Sequence, residues 1–295
     1  MKPAVAYTRY VKIRITFALL IFLAAASALS AQSKLHLRVF TSGPNGFSVN
    51  STLVYGEKDA VLIDTQFVMS EAYRVAAMIL ESKRDLTTVY ITHGHPDHYF
   101  GMAALKQAFP NAKFVALPAT VAAIRNGWEG RLKNWTPEFG FNLPTTGPIL
   151  PDELQGSTIN LEGEALQVVG GVTGDGPNNS YVWIPSLRAV IAGDIVFSGS
   201  HFTPPKMAED WLKTLDQIDN LKPLTVIPGH QSLNARHDAS VIASMKVYIR
   251  DYNDALGSSK TAAEFRYKLT KKYPNYALER LIVSAADAAF PSSKN

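Results

Sequence analysis

Three of the seven histidines of this chain lie within six residues, as His93, His95 and His98, and Asp97 stands among them. Imidazole nitrogens and carboxylate oxygens are ligands that zinc accepts at about 2.0 to 2.2 Å. In a tight turn, His93 and His95 can point one way while Asp97 and His98 point the other. The cluster therefore predicts a metal site, and specifically a site for two ions. The alternative is a polar turn in which Asp97 only caps the next helix, which leaves three histidines unexplained.

Two further candidate ligands follow apolar stretches later in the chain. Asp194 closes the stretch 189–192 in the sequence Ala-Gly-Asp, and His230 follows residues 224–227 in the sequence Pro-Gly-His. Either residue alone is typical of an ordinary turn. Their order after the histidine cluster makes both of them candidate ligands.

With these residues in this order, the chain resembles the metallo-β-lactamase superfamily over nearly all of residues 32–295. The HxHxDH signature of that family corresponds to His93, His95, Asp97 and His98, and its later aspartate and last histidine correspond to Asp194 and His230. Asp64 matches an early aspartate of the family that supports the metal loop from behind the ligands.

The resemblance implies an α/β (α+β) fold, a four-layer αββα sandwich with the site along one edge of its two sheets. It implies that His93 and His95 bind a first zinc ion, that Asp97, His98 and His230 bind a second one, and that Asp194 bridges the two. The chemistry implied is hydrolysis by metal-activated hydroxide. Asp97 is then the catalytic residue that orients the nucleophile and passes a proton to the leaving group.

The sequence departs from the family pattern at the third histidine of the first site. The corresponding stretch, 169–180, places Gly171 or Val172 there, and neither side chain can coordinate a metal. Three hypotheses follow: the remaining ligands hold the first ion weakly with water, a substitute ligand such as Asp175 or His201 completes the site, or only the second site holds zinc. One or two zinc ions per chain are therefore expected.

The first 31 residues have the order of a secretory signal peptide. Four basic residues precede the apolar stretch 15–26, and small residues follow it up to Ala31. The division predicted is a signal peptide over 1–31 and one metallo-β-lactamase-like domain over 32–295, in a periplasmic or secreted protein. The alternative is an uncleaved membrane anchor, for which the apolar stretch is shorter than the ~20 residues that span a bilayer.

Composition narrows the class of partner. The predicted leader contains four of the 29 basic residues and none of the 25 acidic ones, so residues 32–295 carry no net formal charge. This balance argues against a nucleic-acid partner. The partner that the resemblance implies is a small-molecule substrate, and no stable membrane insertion is expected once the leader is cleaved. The chain has no cysteine, which excludes disulfides and thiolate metal ligands. The oligomeric state stays open.

Hydrophobic periodicity predicts two strand-rich halves that carry helices. In the first half we predict strands at 35–40, 47–55, 60–63, 87–91 and 113–117, and helices at 70–83, 99–108 and 119–132. In the second half we predict strands at 158–161, 165–169, 181–184, 189–192 and 224–227, and helices at 207–221, 239–255, 262–272 and 277–289. Such halves indicate two packed sheets covered by helices.

A long loop is predicted between the halves, over residues 133–156. Loops of this length are often functional, so the loop is either a lid or a segment whose aromatic residues dock on the core. Aromatic residues that could line a pocket are Tyr99, Trp128, Trp135, Phe139, Phe141, Phe202 and Trp211.

Two hypotheses about function follow. The first is an exported zinc-dependent hydrolase that opens an ester or lactone bond, or an amide or β-lactam bond, in a small molecule. The second is a catalytically degenerate protein that binds a metal or a ligand on the same scaffold. Metal stoichiometry, measured together with hydrolysis of a panel of substrates, separates them.

Overall fold

A computed structural model describes residues 34–147, 149–204 and 208–291; the predicted signal peptide, residues 1–31, lies outside them. The first sheet has six strands in the order β1-β2-β3-β4-β5-β6. These strands are β1 (His36–Thr41), β2 (Asn50–Tyr55), β3 (Asp59–Ile63), β4 (Asp85–Ile91), β5 (Lys113–Ala116) and β6 (Asp152–Glu153). The pairs β1-β2 and β2-β3 are antiparallel, and the strands from β3 to β6 run parallel.

Four helices connect the strands of the first sheet: α1 (Met69–Ser82), α2 (Pro96–Tyr99), α3 (Met102–Ala108) and α4 (Pro118–Phe139). Helix α1 is amphipathic, since Val75 and Ile79 are fully buried while Tyr73 and Leu80 are exposed. This spacing places one apolar face against the sheet.

The second sheet has the order β12-β10-β9-β8-β7. Its strands are β7 (Thr158–Leu161), β8 (Glu164–Val172), β9 (Asn179–Ile184), β10 (Ala189–Ile191) and β12 (Thr225–Ile227), and a separate parallel pair joins β11 (Phe197–Ser198) to β13 (His230–Gln231). Helices α5 (Ala208–Asn220), α6 (Ser240–Ser258), α7 (Ala262–Lys272) and α8 (Glu279–Ala289) complete this half.

Three apolar clusters show how the layers are stacked. The middle cluster joins Val61 and Tyr90 of the first sheet to Leu166 and Val182 of the second. A second cluster packs α1, α3 and α4 on the outer face of the first sheet, and a third packs α5 to α8 on the second. Burying one large apolar side chain stabilises the fold by about 1.5 to 3 kcal/mol. The αββα sandwich predicted from the sequence is confirmed.

The predicted loop over 133–156 is wrong in its first part. Helix α4 continues to Phe139 because Trp135 and Phe139, four residues apart, pack edge-on against Phe67 with centroids 5.5 and 5.0 Å away. Pro137 lies in the last turn, where its missing amide removes only one helical hydrogen bond. The short strand β6 and a turn of 3-10 helix at Gly140–Asn142 occupy further parts of the segment.

Most other boundaries differ from prediction by a few residues, and the predicted helix 99–108 divides into α2 and α3. None of the helices within 34–147, 149–204 and 208–291 combines the length and the apolar character needed to cross a bilayer.

Candidate metal centre

The predicted ligands meet at one edge of the two sheets. His93 lies two residues beyond β4, and the short helix α2 carries Asp97 and His98. Asp194 lies in a 3-10 turn after β10, and His230 begins β13 just beyond β12. Because strands β4, β10 and β12 end there, residues far apart in sequence converge.

Two groups of metal-ligand side chains form at this edge. The first donor group consists of His93, His95, Asp175 and Asp194, and the second donor group consists of Asp97, His98, Asp194 and His230. Within each group, one donor atom per residue lies within 4.8 Å of all the others. Asp194 belongs to both groups, which is the bridging position that the resemblance implies. The structure thus brings together all six predicted ligands and, with them, Asp175, one of the two suggested substitutes.

The second donor group is compact and almost entirely buried. His98 Nε2 lies 3.0 Å from Asp194 Oδ1, and His230 Nε2 lies 3.2 Å from Asp194 Oδ2. Asp97 Oδ2 approaches His230 Nε2 to 3.4 Å. Three residues therefore place nitrogen and oxygen donors around the carboxylate of Asp194.

Contacts from behind fix the orientation of both imidazoles in the second donor group. Asp64 Oδ2 lies 2.8 Å from His98 Nδ1, and the same carboxylate accepts hydrogen bonds from the backbone and hydroxyl of Thr92. His230 Nδ1 lies 2.7 Å from the carbonyl oxygen of Phe47, and its ring stacks on Phe197 at 4.9 Å. Since each Nδ1 is engaged, each Nε2 is presented to the site.

The first donor group has a different third member from the family pattern. Asp175 Oδ2 lies 2.9 Å from His95 Nδ1, and His93 Nε2 lies 3.5 Å from Asp194 Oδ2. The backbone amide of Asp175 donates to the carbonyl of Asp194 at 3.1 Å, which ties the 173–179 loop to the bridging residue. Asp175 is thus the fourth donor of a group whose other members are His93, His95 and Asp194.

The residues that the sequence aligned with the missing histidine lie in a β-bulge of β8. Gly171 has a φ of +70°, and a Cβ atom there would have no neighbour within 4 Å. The chain therefore turns through left-handed backbone at this point and presents its ligand-type side chain four residues later.

The other suggested substitute, His201, lies outside both donor groups. It is buried, its Nδ1 lies 2.8 Å from the hydroxyl of Tyr248, and its ring lies near Tyr273 and Tyr276. Burial lowers the pKa of His201 to about 4, so this imidazole is neutral at pH 7. Its contacts belong to the aromatic packing between α6 and the segment that leads into α8.

The carboxylates control the protonation of the site. Burial by itself would lower the pKa of His98 and His230, but Asp194 and its neighbouring carboxylates raise both. Burial likewise disfavours the charged form of His95, yet Asp175 raises its pKa to about 9. Burial would raise the pKa of Asp194, and the surrounding histidines hold it well below its usual range. A buried concentration of opposite charges of this kind is typical of functional sites.

Several donor atoms of the site are buried and make no well-aligned hydrogen bond, although His98 Nε2 lies 3.0 Å from Asp194 Oδ1 and His93 Nε2 lies 3.5 Å from Asp194 Oδ2. Among the described residues, these include His93 Nε2, His98 Nε2 and Asp194 Oδ1. Orphaned polar atoms are costly in a protein interior. The donor atoms of each group lie close together, and a cation bound between them would be coordinated by them.

Gly229 shows how closely the segments pack around the bridging carboxylate. A Cβ atom at this position would lie 2.2 Å from Asp194 Oδ1 and 2.7 Å from the carbonyl oxygen of Gly193. Only glycine lets the β12-β13 turn pass so near to Asp194. The Pro-Gly-His sequence is therefore explained by the space the carboxylate needs.

Both donor groups open onto a cavity of about 490 Å³. Its apolar wall consists of Phe47, Phe67, Trp135, Phe197, Phe202 and Leu281, and its polar side consists of His95, Asp97, Asp175, Asp194 and His230. Arg280 lies over the rings of Phe47 and Trp135 at 4.8 and 5.4 Å and pairs with Glu138. The ion pair and the ring contacts hold α8, α4 and the 42–49 turn together at the cavity wall.

Of the aromatic residues suggested for a pocket, Trp135 and Phe202 line the cavity. Tyr99, Trp128 and Trp211 are buried in the apolar clusters, Phe139 packs on Phe47 and Phe67, and Phe141 is 94% exposed. No local pattern pointed to Phe47 or Phe197, because their contacts with His230 join residues far apart in the chain.

Two comparisons with known protein sequences found similar proteins. A model of the metallo-beta-lactamase superfamily matches residues 44–230. The metallo-beta-lactamase type 2 of Bacillus cereus is 26% identical over 203 residues, 65% of this chain and 68% of that protein.

Solved structures show the same fold. A metallo-beta-lactamase family protein from Thermus thermophilus has a TM-score of 0.60 and 19% identity, covering 87% of this chain and 91% of that one. The metallo-beta-lactamase from Pontibacter korlensis has a TM-score of 0.55 and 19% identity, covering 74% of this chain and 96% of that one. At these identities the likeness extends to the fold alone.

Proposed function

We propose that this chain, which belongs to the metallo-β-lactamase superfamily and is a metal-dependent hydrolase, uses zinc to cleave an ester, lactone, amide or β-lactam bond in a small molecule. The observation that carries the proposal is the position of the two donor groups. They share Asp194 and line one side of a largely apolar cavity. A small substrate with an apolar portion fits this arrangement.

The residues present fit two zinc ions. Imidazole and carboxylate donors suit zinc, and each group offers four of them, the number that a tetrahedral site needs. Asp97, His98 and His230 would hold one ion, His93, His95 and Asp175 the other, and Asp194 both. Burial of His93 Nε2, His98 Nε2 and Asp194 Oδ1 without a well-aligned hydrogen bond supports this assignment.

Zinc, when bound, supplies a Lewis acid for the scissile carbonyl and lowers the pKa of water toward about 7. The protein supplies the proton transfer. Asp97 lines the cavity and lies 3.4 Å from His230 Nε2, so its carboxylate reaches both the centre and the substrate space. We assign Asp97 to orient the attacking water, take its proton and deliver that proton to the leaving group.

The apolar wall has its own part in the reaction. Phe47, Phe197 and Phe202 face the same cavity as the carboxylate donors, so an apolar group of the substrate packs there and displaces water. Exclusion of water strengthens the electrostatic interactions of the reacting groups with the site. Phe47 also connects substrate binding to the centre, because its backbone carbonyl holds His230.

The proposal is tested by metal analysis together with a substrate panel. The zinc-loaded protein is assayed with lactones, aryl esters, β-lactams, thioesters and phosphodiesters, and bound zinc is counted by mass spectrometry. We expect two zinc ions per chain and turnover confined to carbonyl substrates. Asp97→Asn should lower kcat by about 10² to 10⁴-fold, the usual contribution of a general acid or base.

Asp85→Asn is the matched control, because this exposed carboxylate lies at the start of β4, at the other end of the strand from the site. It should leave kcat unchanged. Two bound zinc ions without turnover of any panel member would instead identify a catalytically degenerate binding protein.

We also propose export to the periplasm or the medium, supported by the basic and apolar order of residues 1–31. The full-length chain is expressed in a Gram-negative bacterium, and N-terminal sequencing is done on each fraction. Cleavage near Ala31 with protein in the periplasm or the medium is expected, and Leu19→Arg should block it. Full-length protein in the membrane fraction would show an uncleaved anchor.

A further inference from the structure

A second cavity, of about 220 Å³, lies on the other side of the first donor group. It is lined by His93 and His95 and by the polar residues Thr120, Arg131, Asn178 and Asn179. His95 also lines the large apolar cavity, so this residue stands between the two spaces. The candidate metal centre thus has an apolar space on one side and a smaller polar space on the other.

Arg131 gives the second cavity a positive charge. The side chain is half-buried, and its Nη1 donates to the carbonyl of Ala123 at 3.2 Å and lies 3.5 Å from the hydroxyl of Tyr99. In the part of the chain that the structure describes, no ion pair joins Arg131 to a carboxylate. Both of its contacts are neutral, so the guanidinium has donors and charge left for a ligand.

Thr120 is an independent sign of a ligand in this cavity. It is 1% exposed, and its hydroxyl has no hydrogen-bond partner. Thr120 and Ala119 belong to the first turn of α4, and both residues line the cavity. The first turn of a 22-residue helix carries unpaired amides and a partial positive charge that favour an anion.

We propose that this second cavity is a subsite for a carboxylate carried by the substrate. The inference rests on the proposed function, since it places the scissile bond at the donor groups between the two cavities. The apolar part of the substrate lies against Phe47 and Phe202, and its carboxylate binds Arg131 and the hydroxyl of Thr120. A planar guanidinium pairs well with a carboxylate, and a space of about 220 Å³ suits a small polar group.

The first experiment compares two substrates that differ in one charge. They are the glycolate ester of 3-phenylpropanoic acid and its uncharged glycolamide counterpart, each with an apolar acyl group. The wild-type protein should prefer the carboxylate in kcat/KM by at least about tenfold, mainly through KM, as expected for hydrogen bonds to a charged group. Arg131→Gln should abolish the preference, and Arg131→Lys should retain part of it.

Arg125→Gln is the matched control. Arg125 lies on the same helix, is exposed and does not line the cavity. This variant should keep the wild-type preference. Thermal melting of each variant shows whether it is folded.

A binding measurement separates this inference from the proposed function. Calorimetry with the zinc-loaded protein compares 3-phenylpropanoylglycine with its uncharged amide. A loss of at least about tenfold in carboxylate affinity in Arg131→Gln, with amide affinity unchanged, supports the subsite even if no substrate is hydrolysed. Equal carboxylate binding by wild type and Arg131→Gln would overturn the inference, because the metals alone would then hold the carboxylate.

Discussion

The two donor groups share Asp194 but are supported in different ways. In the second group, His98 and His230 are held by Asp64 and by the carbonyl of Phe47, which are not themselves ligands. In the first group, His95 is 41% exposed and pairs with Asp175, another member of the group. Outside contacts also reach the first group, because Thr92 Oγ1 lies 3.1 Å from His93 Nδ1 and Asn179 donates to Asp175. Both imidazoles of the second group are therefore preorganised by their surroundings, whereas His95 in the first group depends on another ligand.

This difference has a consequence for metal binding. A ligand already held in its binding orientation loses little conformational freedom when an ion arrives. We therefore expect the second group to bind zinc more tightly and the first to be filled later in a titration.

The largest effect is expected from Asp194→Asn, because this change weakens both donor groups at once. Removal of a residue that only supports a ligand costs about 10 to 100-fold in metal affinity, so removal of the bridging charge should cost more than about 100-fold at both sites. Zinc binding is followed by competition with a chromophoric chelator. Loss of only one ion would show that Asp194 does not bridge the two sites. Circular dichroism shows whether the variant is folded.

Asp175→Ala should affect the first donor group alone. It removes one oxygen donor, so we expect zinc affinity there to fall by about 100-fold or more, above the loss for a residue that only supports a ligand, while the second ion remains. Asp175→His supplies the imidazole that the family pattern places nearby, and it should restore or exceed wild-type zinc affinity. Both variants are measured by the same chelator competition.

Gly171→His is the informative control for Asp175→His. Its side chain would start from left-handed backbone at φ +70°, with nothing around it, so no gain in zinc affinity is expected. If Gly171→His restored the first site in an Asp175→Ala background and Asp175→His did not, the assignment of Asp175 would be wrong.

These positions show which parts of the centre local sequence could predict. The ligands from His93 to His98 occupy one turn and one short helix, so their spacing alone indicates a shared site. Asp194 and His230 follow strands, and the end of a strand marks a sheet edge. The alternation of strands and helices in the sequence predicted the layered fold, and the three apolar clusters confirm that fold.

The features that were missed depend on contacts between distant residues. The hydrogen bond from His230 to Phe47 joins residues 183 apart, and no local pattern indicates it. The end of α4 was predicted too early, because packing of Trp135 and Phe139 on Phe67, which no local pattern indicates, extends the helix to Phe139. The bulge at Gly171 leaves no ligand-type side chain there, and Asp175, one of the alternatives that the sequence left open, lies in the first donor group.

Asp64→Asn probes the support of the second group and should have a smaller effect than loss of a ligand. The amide cannot accept hydrogen bonds from Thr92 and His98 as a carboxylate does, so zinc affinity at the second site should fall about tenfold. Zinc affinity at the first site should change less, because Asp64 contacts that site only indirectly, through Thr92 and its contact with His93. Sequential zinc titration by calorimetry measures both. A larger loss at the first site would contradict the comparison.

The smallest effect concerns pH and the metal-free protein. Carboxylates raise the pKa of His98, of His230 and, to about 9, of His95, against about 6.5 in the unfolded chain. A raised folded pKa gives stability that is complete below about pH 6.5 and is lost as pH rises through the folded value. In a chelator, the protein should therefore melt at a lower temperature at about pH 9.5 than at about pH 6.5.

The same measurement separates the two donor groups. Asp175→Asn removes the largest of the charges that raise the pKa of His95, so the part of the pH dependence that belongs to the first group should shrink. The part due to His98 and His230 should remain, because Asp194 is intact. Zinc competes with protons for the histidines, so zinc-loaded protein should show the opposite trend over the acidic range. An unchanged pH dependence in Asp175→Asn would mean that His95 and Asp175 do not act as a pair in solution.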